Sequence, residues 1–555
     1  MSQSMTGADA IIKALRAEQV DTIFGIPGAQ IYPLFDAIYQ ANLNLIVPRH
    51  EQSAAYMAMG YAKSSGRVGV FSVVPGPGVL NASAALCTAM GTCTPVLGLT
   101  GQVPSAFMGQ GRGHLHELPD QAGTLRSFIK AALHIPKPAD APAIIRDALT
   151  VTREGRPGPV VAEMCWDTMA QMAEPEVDVS PIAISRPQVN LDAVAEAVKL
   201  ICAAKRPMIM CGAGAQHAAS EVQALAELLC APVTAFRSGR GVVAEDHPLG
   251  LDSVAGRELW DETDLLIGIG SRCEMPYMRW GDMMVARGRE SHPAKLIRID
   301  IDPDQMRSLE PDVALIADSV DACRALIASL ESRVTPDTSR QQSIAAAKQI
   351  AARAVSRIQP QAEYLGIIRE LLPRDGFLVP ELCQAGFTSY TGAFPVLAPR
   401  TYVTEGYQGT LGFGFPTSLG VKIANPDKVV VSISGDGGFM FGVQELMTAS
   451  QFEIGVIAVV FNNNAYGNVL RDQQQRFGGR VSGSALKTPD FQKLAESFDV
   501  QGYQVTSPDA FRSILGRAIE SAKPALIEVV CPQGSETAPW DFIHMASRPS
   551  QIMAR

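Results

Sequence analysis

The stretch VVVSISGDGGFMFGVQELMTASQ, Val429 to Gln451, together with VIAVVFNNNAYG, Val456 to Gly467, decides how the whole chain is read. Val429 to Ile433 is a short apolar, β-branched run of the kind buried on both faces of a parallel sheet. It empties into Gly435-Asp436-Gly437-Gly438, where glycine permits a sharp turn and a close approach to a ligand. Apolar residues then recur at helical spacing from Phe439 to Phe452 and predict one helix. A second apolar run, Val456 to Phe461, ends in Asn462-Asn463-Asn464. Asp436 and Asn463, 27 positions apart, are therefore expected at the C-terminal ends of two strands of one βαβ unit, where open parallel sheets bind ligands.

Those two side chains offer hard oxygens, and a loop carbonyl just after Asn463 adds a third. Such a set suits Mg²⁺ or Ca²⁺, with phosphate oxygens completing the shell. The helix start near Gly438 brings free N–H groups and a positive dipole end to a diphosphate. The competing reading is an ordinary crossover with a glycine turn and surface asparagines. The Asn run at the end of the very next strand disfavours it.

A chain of 555 residues exceeds a single core, and three domains of ordinary size are expected. The composition, 47% hydrophobic and 19% charged, is that of a globular α/β protein. A net charge of −9 gives no reason to expect a nucleic acid or a membrane surface as partner. Ten cysteines are scattered without CxxC pairs or His/Cys clusters, which argues against a disulfide framework or a zinc site. The opening MSQSMTGADAIIKAL lacks the features of a signal peptide, and no apolar run is long enough for a membrane span, so a cytoplasmic protein is expected.

Residues 1–170 alternate helix and strand patterns, with Thr6 or Asp9 capping the first helix. Thr22-Ile23-Phe24 leads into Gly25-Ile26-Pro27-Gly28-Ala29-Gln30. Leu45-Ile46-Val47 delivers Arg49-His50-Glu51-Gln52 to a helix of small residues. This is the pattern of a doubly wound domain. A Pro- and acid-rich linker follows, then a second α/β unit over 189–332. Its Gly212-Ala213-Gly214 lacks the third glycine of a dinucleotide fingerprint and reads as a tight turn. A second linker precedes the third unit, 361–535, and residues 536–555 form a tail without periodicity, expected to pack on the surface.

The GDG…NN spacing resembles the thiamine-diphosphate (ThDP) motif. FGIPGAQIYPLFDAI, RHEQSAAYMAMGYAKSSGRVGV, PGPGVLN, LGLTGQVP and GTLGFGFP extend the resemblance over nearly the whole chain. They are similar to the acetolactate synthase, pyruvate oxidase and benzaldehyde lyase-like superfamily of ThDP enzymes. The resemblance implies three doubly wound parallel-sheet α/β domains, in the order pyrimidine-binding, middle and diphosphate-binding. It implies that Asp436, Asn463 and the Ala465 carbonyl hold Mg²⁺, with Gly435, Gly437, Gly438, Tyr466 and Gly467 around the diphosphate. Glu51 matches the glutamate that bonds the cofactor's pyrimidine nitrogen. Leu411, beside Gly409, matches the residue that props the cofactor in its bent form. Pro27, Asn81 and Gln384 fall near further cofactor contacts.

Gln30 and His116 fall where related carboligases place polar groups facing the thiazolium. His114-Leu115-His116, read as an extended segment, puts both imidazoles on one face, with proton handling near neutral pH as their expected work. Acetolactate synthases carry a glutamine where this chain has His116 and a tryptophan near Asp472. The middle unit also lacks the Met-His-Gly and Asp-Asp-Arg features of a flavin site, so FAD is expected to be absent. The resemblance thus implies a ThDP- and Mg²⁺-dependent lyase or transferase acting on a 2-oxo acid, acyloin or aldehyde through an enamine. Acetolactate synthase proper and a flavin-dependent pyruvate oxidase-type enzyme are the alternatives. It also implies a homodimer or a dimer of dimers, with ThDP at the interface.

Overall fold

Three open, wholly parallel sheets carry the chain in the computed structural model, which describes residues 4–281 and 288–554. Residues 1–3, 282–287 and 555 belong to the expected pyrimidine, middle and tail units and lie outside the described residues. In the first sheet the strands run Asn44–Ile46, Thr22–Gly25, Gly69–Val73, Val96–Gln102, Val160–Cys165, Ala131–Ile135. The first and third strands in chain order are neighbours, so the loops after Gly25 and Val73 open at a topological switch point. Thr6 and Asp9 share the capping of helix Gly7–Ala17: Asp9 N donates to Thr6 Oγ1 and Thr6 N to Asp9 Oδ2, both at 3.1 Å. The strand Ala131–Ile135 was not anticipated, because Ala-Ala-Leu-His-Ile lacks a β-branched run.

The third sheet runs Phe377–Pro380, Val430–Gly435, Val456–Asn462, Ala525–Val530, Gln501–Val505. Gly435 pairs with Phe461, so Asp436 and Asn463 leave adjacent strands at nearly the same height. The helix expected over 439–452 is broken into Asp436–Phe439 and Glu445–Gln451.

The first and third units share one apolar core, reaching from Phe24 to Leu526. Its centre is the crossing of helices Glu51–Ser65 and Gly414–Ala424. A Cβ on Gly60 would collide with the Thr417 carbonyl, and one on Gly420 with the Met57 carbonyl. Only paired glycines let the two backbones touch. Beside this crossing, the buried Glu445 carboxylate accepts the Arg49 N–H at 3.1 Å and the Thr448 hydroxyl at 2.6 Å.

The middle sheet runs Gly250–Leu251, Val233–Ala235, Pro207–Cys211, Leu265–Ile269, Lys295–Asp300, Val313–Ile316, the 3-2-1-4-5-6 order of dinucleotide-binding folds. The tail does more than cover surface. Met545 N donates to the Arg279 carbonyl (3.0 Å) and Thr537 N to the Gln359 carbonyl (2.9 Å), tying the tail to the middle unit and to the linker before the third. Among the described residues, no helix is long and apolar enough to cross a membrane.

Candidate active site

The diphosphate end is built on the ends of strands Val430–Gly435 and Val456–Asn462. Asp436 is 1% exposed, and its Oδ2 accepts the Ala465 N–H at 3.1 Å. Burial lifts its carboxyl to about 6, against the opposing backbone N–H groups of Gly437 and Ala465. The three asparagines divide their tasks. Asn462 is buried and donates to Glu528 at 2.7 Å. Asn464 adopts a left-handed conformation, φ 56°, which asparagine tolerates. Asn463 donates Nδ2 to Glu536 at 2.6 Å, while its Oδ1 is buried without a hydrogen-bond partner.

The walls of this site are equally specific. A Cβ on Gly437 would enter the Tyr466 ring, and one on Gly438 would strike Glu381 Oε1 and lie 3.6 Å from Leu411 Cδ2. Leu411 therefore overhangs the GDGG loop. Gln384 is 5% exposed, and both polar atoms of its amide lack partners. Buried polar atoms without partners are expensive unless a ligand completes them. An anionic oxygen, an orphaned amide oxygen and a glycine loop fit a hard cation carrying a diphosphate.

On the first unit, Glu51 opens helix Glu51–Ser65 and Oε2 accepts from Asn81 Nδ2 at 3.0 Å. Gln30, 3% exposed, follows the strand that leads through Pro27. Its Nε2 donates to the Leu115 carbonyl at 2.8 Å, and its Oε1 meets His116 Nδ1 at 2.9 Å. The 114–117 segment is a turn rather than an extended strand: Glu117 N donates to the His114 carbonyl (2.9 Å), and His116 has φ 64°. The two imidazoles therefore part. His116 pairs with Gln30, whereas His114 packs on Phe107 with centroids 4.1 Å apart.

Three profiles of the thiamine pyrophosphate enzymes match the chain. They are the N-terminal TPP binding domain over residues 5–124, the central domain over 194–326 and the C-terminal TPP binding domain over 385–529. The chain is 34% identical over 552 residues to the probable acetolactate synthase large subunit of Methanocaldococcus jannaschii, spanning 95% of this chain and 92% of that one. It belongs to the ThDP enzymes of the acetolactate synthase and pyruvate oxidase family. Two other relatives carry different names. This ThDP enzyme is 32% identical to the probable 2-ketoarginine decarboxylase of Pseudomonas aeruginosa, covering 95% and 94% of the two chains. It is 31% identical to the acetolactate synthase isozyme 2 large subunit of Escherichia coli, covering 95% of each.

Two features of the ThDP enzyme's site were not anticipated. Glu381, 1% exposed, accepts the N–H groups of Gly412 (2.8 Å) and Gly414 (2.9 Å) and the Ser434 hydroxyl (3.2 Å). It thereby anchors the Leu411 loop against the GDGG loop, and burial raises its carboxyl to about 7. An acidic residue straight after the strand Phe377–Pro380 was the available signal. The other is Glu536, whose carboxyl is pushed up by burial, held down by Asn463 and raised again by the Asp436 charge.

A separate cavity of about 500 Å³ lies over the switch point of the middle sheet, with Gly212 and Gly270 in its lining beside residues of the first and third units. Arg156, Arg237, Arg272 and Asp300 contribute to its lining.

Proposed function

We propose that this ThDP enzyme is a Mg²⁺-dependent 2-oxo acid decarboxylase or carboligase of the cytoplasm. Its working units are residues 1–170, 189–332 and 361–535, and it acts as a homodimer or dimer of dimers. The Gln30–His116 pair carries the reading toward proton-coupled chemistry on a small 2-oxo acid or aldehyde. The names of the acetolactate synthase and 2-ketoarginine decarboxylase relatives support the same class.

Bound ThDP supplies the electron sink for breaking or forming a carbon–carbon bond next to a carbonyl. Asp436 and Asn463 Oδ1, with the Ala465 carbonyl, take the cation, and the GDGG loop takes the diphosphate. Glu51 exchanges a proton at the pyrimidine nitrogen, held in place by Asn81. Leu411, on the loop that Glu381 anchors, would pack against the cofactor above the GDGG loop. Gln30 fixes the His116 ring through Nδ1, leaving Nε2 to give or accept a proton at the substrate. Exposed apolar side chains neighbour both halves of the site: Leu80 and Leu115 on the first unit, Met440, Phe441 and Val469 on the third. A second subunit laid across them buries these side chains and brings the two halves together.

A panel of 2-oxo acids with and without aldehyde acceptors, its products identified by mass, tests this reading. Failure to turn over any member with Mg²⁺ and ThDP present counts against it. In the same assay His116→Ala is expected to lower turnover by roughly 10²–10⁴-fold with ThDP affinity nearly unchanged. Turnover close to the parent value relegates His116 to holding the turn.

One observation favours a second reading. The middle sheet has dinucleotide-fold order and a cavity at its switch point, which suits a flavin enzyme of the pyruvate oxidase type or acetolactate synthase proper. The absence of the two flavin motifs weighs against it. Purified protein is expected to be colourless between about 350 and 500 nm, the flavin region; stoichiometric flavin released on denaturation decides for the second reading.

A further inference from the structure

Glu536 follows the last strand, Ala525–Val530, in the tail that lies beyond the C-terminal TPP binding profile. Its Oε2 accepts a 2.6 Å hydrogen bond from Asn463 Nδ2. This contact sets the amide with its nitrogen toward Glu536 and its oxygen away from it. The oxygen so directed is the buried Oδ1 that has no hydrogen-bond partner. The segment is itself pinned. Thr537 N donates to the Gln359 carbonyl and Gln361 Nε2 to the Thr537 carbonyl, each at 2.9 Å. Four residues beyond Glu536, Trp540 Nε1 donates to Asn468 Oδ1, also at 2.9 Å. Glu536 thus reaches Asn463 from an anchored position, and an amide free to flip would otherwise present its NH₂ group to a cation half of the time.

We propose that Glu536 is a positioning residue of the metal site: it holds the Asn463 carboxamide with Oδ1 turned toward the cation. The inference rests on the reading of Asp436 and Asn463 as Mg²⁺ ligands. Metal ligands oriented by an outer partner typically lose about 10–100-fold in affinity when that partner is removed. Glutamine at the same position keeps an oxygen that accepts from Asn463, whereas alanine keeps nothing.

The probe is Mn²⁺, titrated into metal-free protein at saturating ThDP and followed by the magnetic resonance signal of the free ion. Glu536→Ala is expected to weaken Mn²⁺ binding by about 10–100-fold and Glu536→Gln by clearly less than tenfold. Trp540→Phe keeps the ring and removes the bond to Asn468, and is expected to bind Mn²⁺ like the parent. Parental affinity in Glu536→Ala overturns the inference. So does equal loss in Glu536→Gln, which makes Glu536 a charge or a direct ligand, or equal loss in Trp540→Phe, which makes the effect one of tail docking. Should Glu536→Ala fail to fold, a Glu536→Gln loss of tenfold or more overturns the inference, and retained affinity beside a weakened Glu536→Ser supports it. Asp436→Ala in the same titration separates the two levels. Parental Mn²⁺ affinity there removes the metal site and this inference together, whereas a loss there beside an unchanged Glu536→Ala removes the inference alone.

Discussion

Asp436→Ala is expected to abolish Mg²⁺-dependent ThDP binding. The carboxylate is the anionic member of the oxygen set, desolvated and already held by the Ala465 N–H. Its loss should exceed the roughly 10–100-fold cost of removing a group that merely orients a ligand. Calorimetry with ThDP and Mg²⁺ on the folded variant measures it, and unchanged binding removes Asp436 from the site. The parent protein carries a matching pH signature. Burial pushes the metal-free carboxyl up to about 6 from its ordinary value of 3.8, and a bound cation would displace its proton. Mg²⁺ affinity is therefore expected to be flat above pH 6 and to fall by up to about tenfold per unit below it. In metal-free protein the folded state holds the proton more tightly than the unfolded chain. Stability from this group is thus present below pH 4 and is lost as pH rises through 6. Bound cation offsets that loss.

Subunit exchange is expected to restore activity to two dead variants. Glu51 stands on the first unit and Asp436 on the third, and in the proposed dimer each cofactor lies between the Glu51 of one subunit and the Asp436 of the other. Glu51→Gln retains an acceptor for Asn81 Nδ2 but has no proton to exchange, a loss of roughly 10²–10⁴-fold in turnover. Asp436→Ala fails for lack of cofactor. A heterodimer of the two carries both defects in one site and neither in the other, so mixing is expected to return up to about half of the parent activity per heterodimer. Verified heterodimers that stay inactive, beside parent controls that survive the exchange, exclude a shared site.

Much of the diphosphate end was readable because its residues have few alternative uses. Glycine before a helix and asparagine after a buried strand both announce backbone or ligand demands. The sequence placed Asn463 in the ligand set but held no physical reason to prefer it over its two neighbours. That reason comes from the Glu528 partner of Asn462, the left-handed backbone of Asn464 and the orphaned oxygen of Asn463. His114 and His116 were misjudged as a pair because side-chain alternation presupposes an extended chain, and the left-handed His116 reverses it. Glu381 was passed over, despite its place straight after a strand, for a different reason. Its meaning lies in the Gly412 and Gly414 amides, more than 30 positions downstream, and local pattern does not report long-range contacts. The tail escaped notice because Glu536 and Trp540 act through single hydrogen bonds, which leave no hydrophobic period behind.

The Gly60–Gly420 crossing and the Glu445 bond to Arg49 fasten the two cofactor-binding units of one chain to each other. If a dimer shares its sites between such units, parting of the subunits would open both walls around ThDP at once, and the cofactor's residence time would depend on the assembly as well as on the pocket. Dilution, which leaves the escape rate from a monomeric enzyme untouched, would in such a dimer become a route to cofactor loss.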